Sequence, residues 1–152
     1  MSSSSKDTST TSSIDVDGER WSALAARGVE HYRAGEDLEA LAYWAQALNL
    51  LTAIEHGTPP CHGLLIARIV THQNRAASLR RLEHFDAADL EYSLAFEHMR
   101  AHAEDPKVPG SVRIFACGHA AQVFAEWRRF RDDFSGAAPA QGDAHASPLS
   151  LV

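Results

Sequence analysis

From Gly18 to Phe134 the large apolar residues recur every three or four positions, and no stretch alternates with period two. That spacing commits the backbone to helix, because a 3.6-residue period gathers such residues into one stripe along each cylinder. Trp21, Leu24, Gly28 and Tyr32 form the first stripe, and Leu38, Leu41, Trp44, Leu48 and Leu51 the second. Leu65, Ile69, His72, Ala76 and Leu79 form a third, over a helix expected at about 64–82. A fourth, expected at about 85–103, carries Ala88, Tyr92, Ala95, Phe96 and Met99. A fifth, at about 111–132, carries Ile114, Phe115, Gly118, Ala121, Phe124 and Trp127. Breakers stand between them: Gly35, then Gly57-Thr58-Pro59-Pro60, then Asp105-Pro106 and Pro109-Gly110. The expected fold is all-α, with about five helices.

The 152 residues leave room for one ordinary domain. Residues 1–18 begin with a run of Ser and Thr too poor in apolar area to offset the entropy of ordering, so a disordered tail is expected there. Residues 135–152, rich in Gly, Ala, Pro and Ser, are expected to be a second flexible tail, leaving 19–134 as the helical domain. No apolar run is long enough to cross a membrane, and the N-terminus has no secretory core, so a cytoplasmic protein is expected. A net charge of -6 argues against general nucleic-acid binding. Cys61 and Cys117 are too few for a disulfide scaffold.

The helices repeat. Gly28, Ala40, Trp44 and Ala47 are followed 48 residues later by Ala76, Ala88, Tyr92 and Ala95. Small residues mark places where two helices cross closely, and the aromatic fills the space to the neighbouring helix. This pattern resembles the tetratricopeptide repeat, a helix–turn–helix unit. The second unit, through Asn74-Arg75-Ala76-Ala77-Ser78-Leu79 and Phe85-Asp86-Ala87-Ala88, is the more similar. The fifth helix then reads as half of a third unit, with Ala121 at the small position. The resemblance implies an α-solenoid of antiparallel helix pairs, roughly two and a half repeats long, over about 19–132. The spacing exceeds the usual period of about 34, and a similar elongation occurs in the repeat domains of immunophilin-type co-chaperones.

The resemblance also implies a concave groove lined by the first helix of each pair. Carried onto this chain, its lining includes Val29, Tyr32, Arg33, Asn74, Ala77, Arg80, Arg81, His119 and Gln122. Co-chaperone relatives hold a chaperone's C-terminal carboxylates there in a polar clamp. Only Asn74 matches; the other clamp positions hold Ala25, Val29, Phe115 and His119, so an orthodox clamp is not expected. Residues 61–82 carry four Arg and no acid, while residues 85–105 carry six acids and one Arg. Two readings follow: a basic groove for an acidic peptide contacted by Arg33, Arg80 and Arg81, or mutual compensation between neighbouring helices.

Trp127, Phe130 and Phe134 end the fifth helix, which lacks a following partner. They are a candidate docking patch, unless the tail after Ser135 folds back over them. No phosphate loop, nucleophile elbow or catalytic carboxylate pair is present, so no enzyme activity and no cofactor are expected. His98 and His102 have metal-ligand spacing but no supporting context, and no metal is expected. His72 reads as a hydrogen-bonded packing residue. The expected function is that of an adaptor, co-chaperone-like in form, binding a protein or peptide partner in the groove. The alternative is an assembly subunit that oligomerises or docks through its C-terminal helix.

Overall fold

A computed structural model describes residues 8–135. The two terminal segments, 1–7 and 136–152, on which most of the tail expectations fall, lie outside the described residues. Five helices follow in order: α1 (Thr8–Arg33), α2 (Asp37–Gly57), α3 (His62–Arg81), α4 (Phe85–Glu104) and α5 (Gly110–Ser135). Among the described residues there is no strand. Each helix packs mainly on its neighbours in the chain, while α1 and α5 also touch α3. The molecule is therefore an all-α helical repeat of stacked pairs, with α1, α3 and α5 sharing one face.

One boundary differs from the composition-based expectation. α1 is already helical at Thr8, so residues 8–18 extend a helix instead of belonging to the tail. Adding turns to a formed helix avoids the cost of nucleation, and Ser and Thr are only moderately poor helix formers.

The repeat is visible in the backbone itself. At the end of α1, Gly35 N–H donates to the Tyr32 carbonyl and Glu36 N–H to His31. At the end of α3, Glu83 N–H donates to Arg80 and His84 N–H to Leu79. The second set is the first displaced by 48 residues, and each is a Schellman turn. Both turns need a left-handed residue, supplied by Gly35 (φ 78°) and Glu83 (φ 60°).

The small residues sit where close crossing requires them. A Cβ placed on Gly28 would overlap the Trp44 indole, so only glycine lets α2 lie this near α1. Ala76, Ala88, Tyr92 and Ala95 repeat the arrangement in the second pair, all buried. In α5 the buried stripe is Val112, Ala116, Ala120, Val123 and Phe130. This corrects the expected stripe: Ile114, Gly118, Ala121 and Phe124 face outward. α5 is apolar on two faces, and the one that turns inward packs on α4, with Phe130 buried against Tyr92.

Candidate functional site

α3 is the centre of the molecule, and its arginines meet acids on both flanks. Arg68 forks onto Glu55 of α2, with both contacts at 2.8 Å. Arg75 reaches Glu91 of α4 at 2.9 Å. Arg81 donates to Asp37 at 2.6 Å and to the Tyr32 carbonyl, and lies over the Tyr32 ring. Arg80 bonds the Tyr92 hydroxyl and lies over Phe130 and Phe134. The acid-free third helix is thus neutralised by its neighbours, which is the compensation reading, and Arg80 and Arg81 are engaged within the fold. Arg33, the third expected contact, is exposed on α1.

His72 is buried and donates from Nδ1 to Glu91 at 2.7 Å, a packing role. Burial pushes the Glu91 carboxyl up, but the hydrogen bond from His72 and the charges of Arg75 and His72 outweigh it and hold its pKa below the ordinary value. His98 is pushed down to about 3 by burial first, then by the charge of Arg68 and the neighbouring His102 and His72. Its nearest carboxylate, Glu55, is already committed to Arg68 through both oxygens and does not favour a proton on His98. The His98 and His102 rings lie 4.5 Å apart, with His102 Nδ1 donating to the His98 carbonyl. Among the described residues no group of three or more metal-ligating side chains comes together.

The expected groove residues divide. Val29, Tyr32 and Ala77 are buried in a core cluster around Trp44. Asn74 is 1% exposed and its amide has no hydrogen-bond partner on either atom. His119 and Gln122 do reach the shared face. With Ile66, Ile69, Val70 and Gln73 they line a cleft of about 110 Å³ between α3 and α5. His119 lies tilted against Phe115 with ring centroids 4.3 Å apart, and Gln73 donates to Glu126 at 2.6 Å, which ties the two helices together at the cleft. On α1 a shallow depression of about 370 Å³ is lined by Ala26, Val29, Glu30 and Arg33. Ile66, 43% exposed, was not singled out by sequence because it lies off the buried stripe; its only signal was an isoleucine beside that stripe.

The expected docking patch is used internally. Phe130 is 4% exposed and packs on Tyr92, Phe134 stacks on Phe85, and Trp127 Nε1 donates to Asp89 at 2.7 Å. Arg131 pairs with the same carboxylate, which its hydrogen bond holds below the ordinary pKa. α5 runs back along α4, so these aromatics land on the start of that helix. The apolar residues left outside on α5 are instead Ile114, 77% exposed, and Phe124.

Compared with protein-family models, curated proteins and solved structures, the chain matches none.

Proposed function

We propose that this chain is a tetratricopeptide-like adaptor that binds a segment of a partner protein on the face shared by α1, α3 and α5. The observation that carries the reading is Ile66, a large apolar side chain left 43% exposed at the mouth of the α3–α5 cleft. An apolar anchor of the partner would cover it, and the Gln122 and His119 side chains offer hydrogen bonds to the partner's backbone beside it. The 48-residue displacement of the Schellman turn supports the repeat reading. A chaperone carboxylate tail fits poorly: Ala25, Val29, Phe115 and His119 stand where cationic and amide donors are needed, and Asn74 is buried. Acidic residues in the partner would find Arg33 at the edge of the face. Two exposed free thiols suit the reducing cytoplasm, where we place the protein.

A second reading, docking through the last helix, is favoured by the outward Ile114 and Phe124. One experiment separates the two. Peptides selected on the wild-type domain are measured against Ile66→Asp and Ile114→Asp, both at exposed positions that leave folding intact. The groove reading expects binding at least tenfold weaker in Ile66→Asp and unchanged in Ile114→Asp. The reverse pattern assigns the outer face of α5.

A further inference from the structure

At the end of the molecule away from the two Schellman turns, the middle of α1, the end of α2 and the start of α3 line a groove of about 730 Å³ that opens to solvent. Small-molecule sites occupy roughly 300–1,000 Å³. Its walls are Trp21, Leu51, Ile54, Leu64 and Ala67. We propose that this groove binds a small, uncharged apolar molecule, a site separate from the partner-binding face.

Three observations lead there. One wall of the groove is fixed in place. Trp21 Nε1 donates to the Thr71 hydroxyl at 3.3 Å, and Thr71 in turn donates to the Ala67 carbonyl at 2.7 Å, so the indole is pinned as a wall. Two glycines recess the lining: a Cβ on Gly18 or Gly63 would meet nothing within 4 Å. Charge selects the occupant. Glu19 is the one carboxylate in the lining and no Lys or Arg joins it, so a carboxylate or phosphate headgroup would be desolvated without a counter-charge. Ser22 and Thr58 offer hydroxyls, enough to orient a neutral ligand with a single polar atom. Covering these apolar walls removes them from water, which favours an apolar ligand.

The groove also carries its own reporters, Trp21 in the wall and the exposed thiol of Cys61 in the lining. The probe is N-phenyl-1-naphthylamine, a neutral dye that brightens in apolar surroundings. Saturable one-to-one binding is expected, at least tenfold weaker in Gly63→Leu, whose side chain would enter the groove. Gly118→Leu, also at an open position but on α5, should bind as wild type does. In a Cys117→Ser background, the dye should slow alkylation of Cys61 at least threefold. That measurement needs no substitution in the groove and stands even where Gly63→Leu folds poorly. Absence of saturable binding, equal binding by a folded Gly63→Leu variant, or an unprotected Cys61 would each overturn the proposal.

Discussion

Two residues at equivalent places in the repeat show how one backbone demand is met differently. Gly35 and Glu83 occupy the same left-handed position in turns with matching hydrogen bonds. Glycine adopts it freely, whereas an L side chain incurs roughly 1 kcal/mol of steric strain. Glu83 is exposed, and its side chain makes no hydrogen bond or ion pair that would offset this strain. Glu83→Gly should therefore raise stability by about 1 kcal/mol in urea unfolding, despite the added freedom of the unfolded chain. An unchanged or lowered midpoint would show that the strain is relieved locally. Gly28 is constrained by space instead of by φ. Its Cβ position is filled by Trp44, which is fully buried, so neither side can yield without opening the α1–α2 contact. Gly28→Ala should cost about 1–3 kcal/mol, the range for overpacked cores. Pairing it with Trp44→Phe should recover part of the loss, which a double-mutant cycle would measure.

Between helices, the dominant polar link is the set of α3 side chains that meets α2 and α4. His98 of α4, half-buried beside Arg68 of this set, makes stability depend on pH. Unfolded, His98 takes up a proton near its ordinary 6.5; folded, it resists protonation down to about 3. The unfolded state thus binds more protons in that window, and stability is complete above 6.5 and falls as the pH drops toward 3. Between pH 7.5 and 5 the loss should be about 1–2 kcal/mol, allowing for partial solvent screening. His98→Leu should flatten the profile in this interval. Glu91, held low, acts in the same direction once its ordinary value of 4.5 is passed. A wild-type profile flat from pH 7.5 to 5 would contradict the assignment. These links also show what could be read from sequence. The stripe of α3, from Leu65 to Leu79, is buried at every expected position, but neighbours on several sides also bury Thr71, Asn74 and Ser78, which an apolar pattern does not mark. The face of α5 was not legible, since Ile114, Ala121 and Phe124 offer as good a stripe as Val112, Ala116 and Val123. Only packing against α4 distinguishes them. The arginines of α3 were legible as a charge pattern, but their partners depend on which helices lie beside α3. That is tertiary information, and it turns an apparent basic groove into a set of internal ion pairs.

At the scale of the whole molecule, a chain of neighbour-to-neighbour contacts implies that stability is graded along the stack. α3 has twelve buried positions, including polar Thr71, Asn74 and Ser78, against five each for α2 and α4. It is the one helix packed on helices from both flanks and touched by α1 and α5 as well. In a quasi-one-dimensional array, opening an end breaks one interface, whereas exposing the centre breaks several. The start of α1, which continues past Trp21 beyond the core clusters, should open most easily, and the outer face of α5 next. Native-state hydrogen exchange should accordingly find the slowest amides in the middle of α3, near Ile69 to Leu79, exchanging only by global unfolding. Amides before Gly18 should exchange fastest of the helical set. The same gradient bears on binding. A partner lying across Ile66 and Gln122 bridges α3 and α5, so it should slow exchange in α5 more than in α3, which is already at the global limit. A bound segment on the outer face of α5 would protect Ile114 to Phe124 without adding protection around Ile66. Exchange with and without a selected peptide therefore locates the docking face independently of any substitution, and uniform protection throughout the stack would contradict the graded array.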